Sequence, residues 1–299
     1  MLSLAKEVLA AARDAGERIQ TIRQEPVAAE YKDDRSPVTR ADREADALLK
    51  ARLTALVPDA AWLSEETADQ ASRLSERRLW VVDPLDGTKE FLENVPQYTV
   101  AVALVEDGRP VLGVVVNPAS GEAFWGARGC GAYSAGGAGD GGRGGRSGRG
   151  GSEERLGVRD GNLILASRSE IKRGEFEPFG AGGGVRSGST RHAPRASGGG
   201  DGWVVEPIGS IEYKLALVAA GLGAVTFSRG PKHEWDVCAG ALLVEEAGGR
   251  ATDLFGEPLV FNQPFPKTKG ILAGAEGAYS RVLARIREIG ASDRMAEFD

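Results

Sequence analysis

The stretch 80-WVVDPLDGTKEF-91 decides how this chain is read. An apolar strand, Trp80-Val81-Val82, runs straight into Asp83-Pro84-Leu85-Asp86-Gly87-Thr88. Pro84 cannot continue a central strand, and Gly87 permits a tight backbone approach. The two carboxylates are therefore expected on a turn at a strand end. Taken alone, that turn is an ordinary polar reversal, an acid/base pair or part of a metal site.

Three other stretches bear on the choice. Ser64-Glu65-Glu66-Thr67 follows the apolar pair Trp62-Leu63 and puts two more acids at a strand-like end. Trp235-Asp236 is expected to open a helix whose apolar face is Val237, Ala241, Leu242 and Val244. Asp42 lies near the start of a predicted helix over 39–56, with Thr39 as its N-cap and Pro58 as its stop. Each acid has a plain reading, as a helix N-terminal carboxylate or a solvated loop residue. Together with the Asp-Pro-Leu-Asp-Gly-Thr turn they do not look independent. Two carboxylates 5–6 Å apart repel by roughly 3 kcal/mol at an effective dielectric near 20. Four of them in one place require cations.

The composition narrows what those cations are. With only two histidines and two cysteines, Cys130 and Cys238, a structural zinc site is not expected, and any bound metal would take oxygen ligands, as a hard cation such as magnesium does. Two lone cysteines also point to a reducing, cytoplasmic compartment. A net charge of −6 argues against a general binder of nucleic acid or anionic membranes. No segment approaches the ~20 apolar residues of a membrane span, and Lys6, Glu7, Arg13 and Asp14 break the N-terminus as a signal peptide.

Periodicity divides the 299 residues near position 155. Residues 2–23 place Leu4, Val8, Ala11, Ala15, Ile19 and Ile22 on one helical face. From residue 79, RLWVVD, YTVAVALVEDG, RPVLGVVVNP, GEAFWGA and GCGAYS read as an antiparallel meander. Residues 1–155 are thus expected to form an α+β domain. Residues 156–299 alternate strand and helix, as in an α/β domain. Two Gly-rich tracts, 134–154 and 180–202, cannot bury a core. The first, with Arg143, Arg146 and Arg149, reads as a flexible extension or as an RNA-contacting segment of the RGG type.

DPLDGT after an apolar strand, SEE about 18 residues upstream, and WD before a small-residue helix resemble the inositol monophosphatase superfamily. The resemblance covers nearly the whole chain. It implies magnesium-dependent, lithium-sensitive phosphomonoesterase activity and a layered αβαβα sandwich with the site between its halves. It further implies that Glu65, Asp83, the Leu85 carbonyl, Asp86 and Asp236 hold two or three Mg²⁺ ions. Thr88 falls on the family's water-activating threonine, Asp42 on its carboxylate partner, and Glu66 on a second glutamate position. Backbone N–H groups at Gly87 and Thr88 are suited to cradle a phosphate.

After Asp-Gly-Thr the chain continues Lys89-Glu90-Phe91, similar to the 3′(2′),5′-bisphosphate nucleotidase branch of that superfamily. Gly209-Ser210-Ile211-Glu212-Tyr213-Lys214 resembles the same branch, with Ser210 and Lys214 as expected substrate contacts. The branch implies hydrolysis of adenosine 3′,5′-bisphosphate to AMP and phosphate, a reaction of sulfur metabolism. Inositol 1-phosphate and fructose 1,6-bisphosphate are the competing substrates. An RNA-associated Gly/Arg-rich binder is the reading from another class. No membrane partner is expected, and the sequence leaves a homodimer open.

Overall fold

The computed structural model describes residues 1–25, 27–31, 37–136, 153–179 and 202–296, the side chains of 291–296 excepted. Most of the two Gly-rich tracts therefore lies outside the described residues. The chain opens with α1 (Leu2–Arg23), which buries Val8, Ala12, Ala15, Ile19 and Ile22 along one stripe. A short antiparallel pair follows, β1 (Glu30–Tyr31) and β2 (Pro37–Val38). Helix α2 (Arg40–Leu56) begins where expected: the Thr39 hydroxyl accepts from the Ala41 amide, and Asp42 reaches back to the Thr39 N–H.

The meander is the central layer. β3 (Ala61–Ser64), β4 (Arg78–Asp86), β5 (Thr99–Glu106), β6 (Arg109–Val116), β7 (Ala123–Ala127), β8 (Gly131–Ala135) and β9 (Glu154–Arg155) form a seven-stranded sheet in that order. Only the β3–β4 pair is parallel. The short helix α3 (Thr88–Leu92) sits between β4 and β5. Alternate residues point to opposite faces. Trp80, Val82, Val100, Val102 and Val114 pack under α1 and α2, while Leu79, Val81, Ala101, Ala103 and Val115 enter a second core. Burial on both sides explains why these strands read as unbroken apolar runs.

The C-terminal half supplies β10 (Leu163–Ala166), α4 (Arg168–Lys172), β11 (Val204–Pro207), α5 (Ile211–Ala219), β12 (Val225–Ser228), β13 (Lys232–His233), α6 (Cys238–Glu246), β14 (Arg250–Thr252), β15 (Lys267–Thr268), β16 (Ile271–Gly274) and α7 (Glu276–Ala296). A five-stranded sheet has the order β11-β10-β12-β16-β14, parallel among its first three strands and antiparallel on either side of β16. α5 and α6 lie between the two sheets and are buried nearly all round. The contact with β6 is close: a Cβ on Gly113 would stand 2.7 Å from the Ala239 carbonyl oxygen. α7 covers the outer face of the second sheet together with Phe176 and Phe179. The layers are thus α1/α2, sheet, α5/α6, sheet and α7, the expected αβαβα sandwich. No helix among the described residues is long and apolar enough to cross a membrane.

One local expectation changes. Trp235 and Asp236 do not open α6 but form a separate 3₁₀ turn, Glu234–Asp236. The Asp236 carboxylate accepts the His233 amide at 2.9 Å, which closes that turn before α6 starts.

Candidate active site

The Asp-Pro-Leu-Asp turn owes its shape to an irregularity in the sheet. Asp83 pairs with Ala101 and Asp86 with Thr99, so β4 carries one residue more than β5 across this step. On a regular strand, residues three apart face opposite sides. The bulge instead brings Asp83 and Asp86 to the same pocket, about 200 Å³ in volume, lined also by Glu65, Leu85, Thr88 and Asp236. Gly87 follows with φ +97°, and a Cβ there would meet the Gln97 carbonyl at 3.1 Å. Glycine makes the turn possible and starts α3.

Each wall of the pocket is held by identifiable bonds. The Asp83 carboxylate accepts the Leu85 amide at 3.0 Å. Asp86 accepts the Ser210 hydroxyl at 2.6 Å and the Glu212 amide at 2.8 Å, so the start of α5 is tied to the end of β4. Ser210 pays for that position with φ +56°, a conformation worth about 1–3 kcal/mol of strain in a non-glycine residue. Its hydroxyl also caps α5 through the Tyr213 amide and meets Thr99 at 3.0 Å. The Thr88 hydroxyl lies 3.0 Å from one Asp42 oxygen and 3.2 Å from the Leu85 carbonyl. The other Asp42 oxygen accepts the Thr39 amide and hydroxyl at 2.8 and 2.6 Å.

The acids act on one another's charge. Asp236 is pushed up to about 8, by burial first and then by the negative charges of Asp86 and Glu65. Burial, Glu65, Asp86 and Asp236 hold Asp83 well above the carboxylate range. Burial raises Asp86 too, opposed by its bonds to Ser210 and Glu212 and by Lys214. Asp42 is raised by burial against the pull of its bonds to Thr39. Among the described residues, no three His, Cys, Asp or Glu side chains are gathered into a ready-made metal cluster. Glu65, Asp83, Asp86 and Asp236 instead stand around the pocket wall. Buried, mutually repelling carboxylates beside a peptide carbonyl are a donor set that fits a hard divalent cation.

Of the substrate contacts expected from the sequence, Gly87 and Thr88 line the pocket, and Ser210 stands behind Asp86. Lys214 is neither on the surface nor on the pocket wall. It is 1% exposed and donates to Ser167. Burial lowers it, while Glu170 and Asp86 pull it back up. Four further residues escaped the sequence reading. Glu212 accepts the Ala239 and Gly240 amides at the start of α6. Glu234 accepts the Asn262 and Gln263 amides at 2.8 and 2.9 Å. Arg73, 1% exposed, donates to Asp69, Asn262 and the Gln263 carbonyl, and so joins the chain after Glu65 to the loop that holds the 234–236 turn. Thr99 backs Ser210. Glu212 was detectable as an acid in a helix with no exposed face; the others had no local signal.

Known proteins resemble the chain over most of its length. The 3′(2′),5′-bisphosphate nucleotidase CysQ of Aggregatibacter actinomycetemcomitans is 30% identical over 262 residues, spanning 87% of this chain and 88% of that protein. An inositol-1-monophosphatase of Mesorhizobium japonicum is 29% identical over 256 residues, 84% of this chain and 83% of its own. The crystal structure of CysQ from Bacteroides thetaiotaomicron superposes with a TM-score of 0.69 at 30% identity, covering 92% of this chain and 97% of that one. The family model described as "Inositol monophosphatase family" matches residues 2–291. This chain, with its acidic pocket at a bulged strand end, is a phosphatase belonging to the inositol monophosphatase family.

Proposed function

We propose that the protein is a Mg²⁺-dependent phosphomonoesterase that removes the 3′-phosphate of adenosine 3′,5′-bisphosphate. The observation that carries the chemistry is a single pocket holding Glu65, Asp83, Leu85, Asp86 and Asp236 beside the Thr88–Asp42 pair. Glu65, Asp83, the Leu85 carbonyl, Asp86 and Asp236 would hold the ions. When bound, Mg²⁺ supplies charge neutralisation and Lewis acidity for an anionic ester.

The chain's own residues orient the attacking water. Asp42 takes two hydrogen bonds from Thr39 on one oxygen, which leaves the other aimed at Thr88. With its proton on that oxygen's side, the Thr88 hydroxyl presents its lone pairs to a water in the pocket. As the water loses its proton to Thr88, Thr88 passes its own to Asp42. The raised affinity of Asp42 for a proton suits it to that task. The Gly87 and Thr88 amides at the start of α3, on the pocket wall, would take the phosphoryl oxygens.

The nucleotide bisphosphate reading rests on Lys89-Glu90 at the pocket rim and on likeness to the CysQ nucleotidases. The inositol-1-monophosphatase relative supports the competing substrate. Phosphate release from adenosine 3′,5′-bisphosphate, inositol 1-phosphate and fructose 1,6-bisphosphate, with and without Mg²⁺, separates them. A higher kcat/KM for inositol 1-phosphate overturns the substrate assignment, and turnover in EDTA overturns the metal dependence.

A further inference from the structure

At the end of α6 remote from Asp236, the protein forms another pocket, about 220 Å³ in volume. Three arginines from three places in the fold line it: Arg109 opens β6, Arg128 lies in the β7–β8 turn, and Arg250 opens β14. Two of them are fixed in place. Arg128 donates from Nε to the Pro110 carbonyl at 2.8 Å, and the Arg250 guanidinium lies 4.7 Å over the Tyr279 ring. Arg109 makes no ion pair among the described residues and is exposed.

The carboxylates nearby balance this charge only in part. α6 ends in Glu245 and Glu246, but Glu246 is taken by the Gly129 and Gly131 amides, each at 2.8 Å. Glu245 alone lines the pocket, and its contact with Arg128 is long, at 3.4 Å. Glu276 stands 3.7 Å from Arg250 and is itself exposed. The C-terminus of α6 adds roughly half a negative charge. Glu245 is shared between Arg128 and Arg109, so three guanidinium groups face two carboxylates, in a protein whose net charge is −6. An apolar wall of Leu259 and Phe261 lowers the local dielectric, which strengthens the field of the guanidinium groups.

We propose that this pocket is a second anion site, distinct from the acidic one, for the phosphate or pyrophosphate group of a small molecule. Planar guanidinium forks match such groups through paired charge-assisted hydrogen bonds. Arg109 belongs to the seven-stranded sheet and Arg250 to the edge of the five-stranded one. A bound anion would therefore clasp the two sheets together.

The test is a calorimetric titration of the full chain with pyrophosphate in EDTA, where the cation-free acidic pocket repels anions. One saturable site per chain is expected, together with a rise in melting temperature. Arg109→Ala should weaken binding at least about tenfold, and Arg109→Glu should abolish both binding and the thermal shift. Because Arg109 is exposed and meets Glu245 only at long range, both variants should melt close to the parent without pyrophosphate. Asp83→Asn should leave binding unchanged. Absence of saturable binding, indifference to Arg109→Ala, or loss of binding in Asp83→Asn each overturns the proposal. None of these outcomes depends on catalytic turnover.

Discussion

Replacing Asp236 with asparagine should make the metal-free protein more stable while abolishing its activity. Asp236 titrates near 8 in the folded protein against 3.8 ordinarily. Below about pH 4 it is protonated in both folded and unfolded chains and contributes nothing. Above that, the unfolded chain ionises first while the folded protein keeps its proton, so stability falls as pH rises. The loss levels off past about pH 8. A shift of this size corresponds to about 6 kcal/mol at full development. At roughly 2 °C per kcal/mol for a chain this long, that is a Tm difference of about 12 °C. Asparagine removes the charge but keeps an oxygen to accept the His233 amide bond. Thermal melts in EDTA should therefore show parent and Asp236→Asn close together at pH 4.5 and well separated at pH 8.5, the variant higher. Mg²⁺ should raise the parent's Tm more as pH rises, and the variant's much less. Equal pH profiles for the two proteins, or a variant that melts lower at pH 8.5, would refute the picture of mutually repelling buried acids.

Other changes probe other parts of the site. Thr88→Val removes the hydroxyl between Asp42 and the pocket and should lower kcat by about 10²–10⁴-fold, the range of a general-base contribution, with an unchanged melt. Near-parental turnover would dismiss the proton relay. Arg73→Met leaves Asn262 and the Gln263 carbonyl without their buried donor and should cost about 3–5 kcal/mol in urea denaturation. A cost under 1 kcal/mol would reduce Arg73 to packing. Lys214→Met should raise KM for adenosine 3′,5′-bisphosphate more than for a monophosphate if its charge serves the second phosphate. Equal effects on both substrates would confine Lys214 to supporting Asp86 and Glu170.

Much of the site was legible because its parts are local signals. Asp-Pro-x-Asp-Gly-Thr, Ser-Glu-Glu and Trp-Asp each occupy a few consecutive residues, and a carboxylate at a strand end is visible wherever an apolar run stops. Thr39 and Asp42 were readable as a helix start, since capping acts over three residues. The layered sandwich was implied by the family resemblance, while the residues themselves showed short apolar β-type runs from residue 79 and strand alternating with helix beyond residue 155.

What the local signals lacked was anything that depends on residues meeting across the chain. Lys214 reads as a charged residue on a helix, yet α5 has no solvent face because sheets enclose it on both sides, so the ammonium group is buried against Ser167. Arg73 carries no local signal, because its partner Asn262 lies 189 positions away. The bulge that turns Asp83 and Asp86 to one side exists only as a mismatch between β4 and β5. By itself, then, the sequence determined which chemistry-bearing groups are present and the periodicity of the layers that carry them, since both are set by neighbours along the chain. Only the tertiary structure decided which of those groups face one another, how far each is removed from water and hence how each is charged, because burial and field come from residues far apart in the chain.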